Sequence, residues 1–286
     1  EDVAPEAIVY CPYLPSLALE DRLHSARKEW EAIWLRFEGV AGAPWRNCPE
    51  QLLSRFASLP PLSAPMLRDA ARTFKRRTGL GCDSIHPRTF GWLSDAALGS
   101  VASLLGSVEQ LGFWPEAICH ILVALIPKAG GGKRPIGLLP GLVRLWERAR
   151  RPIVQKWRTE VSRDYNWAAK GRSSQAAAWL QAFRAEAASA KGLSAAAAML
   201  DLVKAFEMVR LEVVWARGLE LGFPATILRL VVETFSFSRR LLMDGAVSGP
   251  VDSLSAILAG GGFATDAMLI ILIKPCDALV RSLPAA

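Results

Sequence analysis

The sequence predicts an α+β fold that is rich in helices, with β-hairpins and a small antiparallel sheet. Apolar residues recur at helical spacing over 19–37, 93–111 and 141–158, with charged residues between them. The run ICHILVALIPK, by contrast, has the length and the Ile and Val content of a buried strand. A glycine-rich turn after this run, and Asp244-Gly245 within SRRLLMDGAVSG, predict two hairpins.

Glycine and proline residues predict where the helices end. The helix over 93–111 is expected to stop at Gly112, and the one in VRLEVVWARGLELGFP at Gly222 and Pro224. An Ala-rich helix is expected over 175–190. The basic helix over 141–158 is expected to be interrupted at Pro152, because an interior proline removes a helical hydrogen bond.

The run AAAAMLDLV at 195–203 has two interpretations. Its alanines favour a helix, whereas a short apolar run that ends in an acid after Gly192 favours a central strand. Propensity alone does not decide between them.

Composition and charge narrow the class of protein. With 51% apolar and 21% charged residues, the chain can bury a core. Its 34 basic against 27 acidic side chains give a net charge of +7, which fits a polyanionic partner but is also common without one. The excess is concentrated in 144–158, where six basic residues accompany the single acid Glu147.

The cysteines and the apolar runs predict an intracellular protein without a membrane segment. Five cysteines are far apart and three histidines form no ligand pattern, which predicts a reducing compartment and no zinc site. The apolar runs are shorter than the ~20 residues that a membrane helix needs. A start at Glu1 rather than Met, and an end in LPAA, predict that the chain is a fragment.

Asp201, in MLDLVKAFEMV, is the residue most suggestive of chemistry. Enzymes of phosphoryl transfer need few covalent contributions from the protein and mostly hold magnesium on carboxylates. An aspartate that faces a bound triphosphate is therefore expected in such an enzyme. The alternative is a helix-capping aspartate, which is common. Neither AGGGKRP nor LAGGGFATD fits a P-loop or a dinucleotide fingerprint.

Several blocks, taken in order, resemble a known family. ALIPKAGGGKRPIGLLPGLVRLWER, AAKGRSSQAAAWL and MLDLVKAFEMV, preceded by TGLGCDSIHPRTF, are similar to the conserved blocks of reverse transcriptases of LINE-type (non-LTR) retrotransposons. The resemblance covers about residues 75–280 and depends on the ordered set, since each block alone is weak.

The resemblance implies an RNA-directed DNA polymerase, a nucleotidyltransferase that adds deoxynucleoside triphosphates to a DNA primer on an RNA template with Mg²⁺ (or Mn²⁺). It implies a right-hand polymerase architecture. We therefore divide the chain into a helical N-terminal extension (1–60), a fingers-like region (61–190) and a partial palm (191–286). Retrotransposition in this family also implies a nuclear stage.

The resemblance assigns roles at the nucleotide to individual residues of this sequence. Asp201 matches the first metal-binding aspartate of the palm, and the carbonyl of Leu202 would be a further metal ligand. Phe206 matches the aromatic residue that selects deoxynucleotides by clashing with a ribose 2′-hydroxyl, although a core phenylalanine is almost as good an explanation. Lys128 and Arg134 match the finger residues that hold the triphosphate, a solvated hairpin being the alternative.

Residues near the nucleic acid carry over less specifically. Gly171, Arg172 and Ser173 resemble the block that touches the template strand. Arg144 and Arg148, on the basic helix, are expected beside phosphates, and an exposed basic face is the equally plausible alternative.

Two departures from the family limit the expected activity. Where the family has a Pro-Gln-Gly block behind the nucleotide pocket, this chain keeps only glycines such as Gly261 and Gly262. The sequence also contains no Asp-Asp pair, and Asp266 and Asp277 are the possible substitutes. The alternatives are therefore a decayed relative that at most binds nucleic acid, and a basic α+β protein with an accidental resemblance.

Overall fold

The computed structural model describes residues 17–37, 42–56, 58–129, 132–167, 171–196, 201–253 and 255–282. In this part of the chain the α-helices are α1 (Leu17–Trp34), α2 (Glu50–Leu53), α3 (Ala64–Arg72), α4 (Asp95–Leu111), α5 (Gly141–Glu160), α6 (Ser174–Ala190), α7 (Leu211–Glu220), α8 (Ala225–Phe235) and α9 (Ala264–Ser282). The strands are β1 (His120–Pro127), β2 (Lys133–Leu138), β3 (Ser238–Met243) and β4 (Ala246–Val247). Short 3₁₀ turns cover Pro87–Trp92 and Glu116–Ile118.

The four strands form one mixed sheet in the order β2-β1-β3-β4. Both outer pairs are antiparallel hairpins, and the second turns at Asp244 and Gly245 with φ of 50° and 84°, as a two-residue hairpin requires. The central strands β1 and β3 are parallel, with His120 opposite Ser238. The α+β class and both predicted hairpins are confirmed, but the prediction of an antiparallel sheet is wrong for its central pair.

Helix α5 runs through the middle of the core. Trp146 is fully buried and meets Trp114 and Phe263 edge to face, with ring centroids 5.4 and 6.1 Å apart. One turn beyond Pro152, Trp157 packs edge to face on Phe223 at 4.6 Å. These rings hold α5 against the segments that precede β1, α8 and α9.

The predicted interruption of α5 at Pro152 is wrong, because the helix continues from Gly141 to Glu160 with the proline inside it. An interior proline costs about 3 kcal/mol. Burying a large apolar side chain contributes about 1.5–3 kcal/mol. Trp146, Val154 and Trp157, which are buried on both sides of the proline, together outweigh its cost.

The predicted helix ends are confirmed. Gly112 adopts φ of 75° after α4 and donates its N–H to the carbonyl of Val108. This is the usual geometry of a glycine in the left-handed conformation that ends a helix. Gly222 adopts φ of 68° after α7, and Pro224 then precedes α8. The Ala-rich helix is also present, as α6.

Side chains from all three predicted segments meet in one hydrophobic core. From the first segment, α1 packs on β3 and β4, and Trp34 lies under the guanidinium of Arg239 at 4.7 Å. The strand β1 of the second segment pairs with β3 of the third. The core is thus continuous across residues 60 and 190, and the division of the chain at these residues stays a prediction.

Among the described residues, no helix has both the length and the apolar character to cross a membrane.

Candidate functional site

The hairpin of β1 and β2 carries Lys128 and Arg134. The backbone N–H of Lys128 donates to the carbonyl of Gly132 at 3.1 Å, and Arg134 lies opposite Ile126 in the ladder. Both side chains are exposed, and neither has a hydrogen-bond or ion-pair partner among the described residues. The two cations therefore lie on one hairpin, as expected, and are free to contact an anion.

Asp201 and Leu202 lie in a loop that leads into a turn over 203–208. Both are exposed, and in the described part of the chain the carboxylate of Asp201 has no partner. Residues 197–200, within the run that could be strand or helix, lie outside the described residues. Those of its neighbours that are described, 195–196 and 201–203, belong to neither kind of element.

Phe206 is half-buried and packs against the hydrophobic core. Its carbonyl accepts the N–H of Ile257 at 2.9 Å. Two residues earlier, the ammonium of Lys204 lies 5.5 Å above the ring of Trp30, so the turn is anchored to α1 as well. Partial burial is compatible with both interpretations of Phe206, as a core residue and as a residue beside the sugar.

A glycine-rich loop, residues 256–262, connects this turn to the hairpin. On the hairpin side, the N–H of Gly137 in β2 donates to the carbonyl of Ala259 at 2.6 Å. Gly260, with φ of 111°, approaches so closely that a Cβ there would lie 2.4 Å from the Gly137 carbonyl oxygen. Ile257 and Ala259 are separated by one residue, so their bonds to Phe206 and Gly137 lie within about 11 Å of each other.

The far end of this loop is fixed by two residues on adjacent turns of α5. Glu147 accepts the N–H of Gly262 at 2.9 Å, and Arg151 donates to the carbonyl of the same glycine at 3.0 Å. Burial raises the pKa of Glu147 to about 7, against the opposing effects of the Gly262 N–H and of three arginines on α5. The loop is thus bonded to α5, β2 and the turn of Phe206.

Sequence reasoning missed Glu147 and Gly137. Glu147 is the single acid within a basic run, which marks it as a residue with a specific partner. A glycine inside a strand, such as Gly137, often marks the close approach of another backbone. Both signals were present in the sequence, but neither identifies the partner.

The block of Gly171, Arg172 and Ser173 lies elsewhere. Arg172 donates to the carbonyls of Arg163 and Asp164 at 2.9 and 2.7 Å, so much of its guanidinium stabilises the preceding turn. Ser173 caps α6 by accepting the N–H of Ala176 at 3.1 Å, and Gly171 adopts φ of 81°. Among the described residues, no hydrogen bond joins this block to Asp201 or to the hairpin.

Asp266 and Asp277, the possible substitutes for the missing acids, both have arginine partners. Asp266 is buried and pairs with Arg158 at 2.5 Å, and burial raises its pKa. Asp277 pairs with Arg163 at 3.0 Å and accepts from Tyr165 at 2.6 Å, and these bonds lower its pKa. Within the described ranges, no group of three or more His, Cys, Asp or Glu side chains is placed to hold a metal ion.

Arg144 and Arg148 lie on the face of α5 that packs on α3. Their guanidinium carbons are 5.4 and 4.8 Å from the ring centroid of Phe74. Arg144 also donates to the carbonyl of Gly79 at 2.6 Å.

No protein-family model matches the chain, and no curated protein matches it at a significant level.

Proposed function

We propose that this chain is the RNA-directed DNA polymerase domain of a LINE-type retrotransposon, with fingers at 61–190 and a partial palm at 191–286. The ordered blocks of the sequence support this. One structural observation carries it: the loop 256–262 bonds on one side to Phe206 and on the other to Gly137. The acid, the aromatic residue and the two hairpin cations that resemble the family's nucleotide site thus lie on segments joined by one short loop.

The residues suit the roles that the resemblance implies. Lys128 and Arg134 would hold the triphosphate, Lys as a point charge and Arg through its forked donors. Phe206 would exclude a ribose 2′-hydroxyl. The loop 256–262, tied to β2 and to the Phe206 turn, would fix the distance between the cations and the sugar.

The donor atoms at Asp201 are of the type that binds a magnesium ion. Magnesium in nucleotide enzymes is bound through one or two carboxylates together with substrate phosphates and water. The exposed carboxylate of Asp201 and the carbonyl of Leu202 are oxygen donors of this sort. When bound, the ion would neutralise charge on the triphosphate. We also propose a nuclear site of action, as retrotransposition implies.

The alternative is a decayed relative that binds nucleic acid without catalysis. Two-metal chemistry needs carboxylates that contact both ions, and Asp201 alone supplies too few. The sequence contains no Asp-Asp pair, while Asp266 and Asp277 are engaged with Arg158 and Arg163. The net charge of +7 remains suited to a polyanion in either case.

Primer extension tests the proposal. The chain is incubated with a labelled DNA primer on an RNA template, deoxynucleotides and Mg²⁺. If the wild type extends the primer, extension should vanish in Asp201→Asn and stay at the wild-type level in Asp252→Asn, a matched control at another exposed aspartate. RNA binding should persist in both variants.

The outcomes separate the two functions. Undiminished extension by Asp201→Asn would contradict the site. Wild-type protein that binds RNA in a salt-dependent way but never extends the primer would favour the decayed relative. Protein that neither extends nor binds would reject both.

A further inference from the structure

Two arginines of α5 are stacked on one phenylalanine. Arg144 and Arg148 lie over the ring of Phe74, which is 6% exposed and follows α3. Residues four apart on a helix are neighbours on its surface, so the two guanidiniums lie next to each other over the same ring. Stacking restricts these long side chains before any ligand arrives, which reduces the entropy that binding costs.

The chain continues from Phe74 into three exposed cations, Lys75, Arg76 and Arg77. Arg88 donates to the carbonyl of Phe74 at 3.0 Å, so the backbone that leads into the three cations is fixed. We use the name Phe74 cluster for Phe74, Lys75, Arg76, Arg77, Arg144 and Arg148.

The charge of the Phe74 cluster is only partly compensated by acids of the protein. Arg150, Arg158 and Arg163 pair with carboxylates at 2.5 to 3.0 Å. None of the five cations of the cluster forms an ion pair within the part of the chain that the structure describes. Its charge is therefore available to an external anion.

The two acids that act on Arg144 through their charge, Glu147 and Asp83, are hydrogen-bonded to backbone groups. Glu147 points into the core and accepts the N–H of Gly262 at 2.9 Å. Asp83 accepts the N–H of Gly141 at 2.6 Å and that of Ile85 at 3.2 Å. Both carboxylates are hydrogen-bonded to backbone, and they attract Arg144 without forming an ion pair with it in the described structure.

The cations also repel one another. Burial lowers the pKa of Arg148, and the neighbouring Arg151 lowers it further. Burial likewise lowers the pKa of Arg144, with Arg148 adding to the effect against the attraction of Glu147. A bound anion would relieve this repulsion.

We propose that the Phe74 cluster binds the phosphates of a nucleic-acid backbone. Several phosphates in series match five cations that come from two segments of the chain, whereas a single small anion would engage only part of them. Phe74 orients two guanidiniums, and Lys75, Arg76 and Arg77 extend the positive surface from its edge. The inference rests on the proposed function for the identity of the polyanion, but it does not require catalysis.

Fluorescence anisotropy with a labelled single-stranded RNA tests this inference. The variant Lys75→Gln, Arg77→Gln, Arg148→Gln removes three cations whose side chains form no hydrogen bond in the described structure, so no such bond of the fold is lost. The matched control Arg55→Gln, Arg184→Gln, Lys191→Gln removes three exposed cations elsewhere. Melting temperatures verify that both variants are folded.

The cluster variant is expected to bind RNA about tenfold or more weakly at low salt. The slope of log affinity against log salt should fall by about 2, because each phosphate contact with a single strand contributes ~0.7. The control should change affinity less than about twofold. If the two variants lose affinity equally, or if wild-type protein binds no RNA, the inference is wrong.

Two further variants separate charge from stacking. Arg148→Lys keeps the charge but loses the planar group, so the salt slope should stay near the wild-type value while affinity falls. Phe74→Leu keeps an apolar residue without the ring and should act in the same way. Inorganic polyphosphate, used as a competitor, distinguishes a site for nucleic acid from a site for any chain of phosphates. Competition equal to that of RNA at the same phosphate concentration would overturn the assignment to nucleic acid.

Failure of this inference is distinguishable from failure of the proposed function. Primer extension that needs Asp201 while the cluster variant binds RNA normally would reject only the Phe74 cluster. RNA binding that needs the cluster without any extension would reject only the polymerase.

Discussion

The buried carboxylate of Glu147 accepts the backbone N–H of Gly262 at 2.9 Å and joins the middle of α5 to the glycine-rich loop. Arg151 holds the carbonyl of the same glycine, so both polar groups at this residue are bonded to adjacent turns of one helix. The acid is 5% exposed, and burial outweighs the attraction of Arg144, Arg148 and Arg151. The position of the loop is therefore linked to the protonation of one side chain.

Glu147→Gln is expected to change how stability depends on pH. Because the folded pKa of about 7 lies above the ordinary pKa of 4.5, Glu147 contributes stability that is full below pH 4.5 and is lost as pH rises through 7. The amide oxygen of Gln can still accept the N–H of Gly262, and because Gln does not titrate, its contribution to stability is not lost as pH rises. By pH 8 the variant should be more stable than wild type by up to about 3 kcal/mol, as measured by denaturant unfolding at a series of pH values.

Glu160→Gln, an exposed acid of the same helix, is the control and should follow the wild-type pH dependence. A wild-type stability that does not change between pH 5 and 8 would show that Glu147 titrates outside this window.

Gly260→Ala should destabilise the fold by about 2–4 kcal/mol. A Cβ there would lie 2.4 Å from the backbone carbonyl of Gly137, and φ of 111° disfavours any residue with a side chain. Gly249→Ala, at an exposed position where a Cβ meets nothing within 4 Å, should change stability by less than about 0.5 kcal/mol. Chemical denaturation measures both, and equal stability of the two variants would mean that the loop can move away from β2.

Phe206→Ala should increase the incorporation of ribonucleotides by an active polymerase, because removal of the ring makes room for a 2′-hydroxyl. The measurement is the ratio of kcat/KM for a deoxynucleotide to that for the matching ribonucleotide. Since Phe206 is half-buried, we also expect a stability loss of about 1–3 kcal/mol. A stability loss with unchanged sugar discrimination would make Phe206 a core residue only.

Lys128→Ala and Arg134→Gln should each raise the KM for deoxynucleotides by about tenfold, the order of one charge-assisted hydrogen bond. Both side chains are exposed, so stability should stay within about 0.5 kcal/mol of wild type. Lys133→Ala is the control, because Lys133 lies on the other face of β2 and contacts the sulfur of Met243. An equal rise in KM for the control would point to general electrostatics instead of a specific site.

Features that depend on neighbours in sequence could be predicted. The hairpins at Lys128–Arg134 and Asp244-Gly245, and the helix ends at Gly112 and Gly222, are set by local turn chemistry. The parallel pairing of β1 with β3 could not, because its residues are distant in the chain and no local pattern encodes their direction. No element is predicted for 225–235, although α8 carries Thr226, Arg229 and Glu233 at helical spacing on one face, opposite a buried apolar face.

The candidate site also combines features that could be predicted from the sequence with features that could not. Lys128, Arg134, Asp201 and Phe206 come from ordered motifs, and their functional roles stay predictions. The bonds that connect their segments, through Ile257 and Ala259, arise from tertiary packing. Pro152 illustrates the same limit, because the packing of Trp146 and Trp157 overrides its local preference.

The parallel pairing of β1 with β3 has a consequence for how the chain acquires its fold. The β1–β2 hairpin can form as soon as residue 138 has left the ribosome, but the other edge of β1 has no partner until residues 238–243 emerge. During this interval an apolar strand with unpaired backbone groups is open to strands of other chains. Pairing of such distant residues is slow, so folding competes with aggregation at this edge until β3 is available.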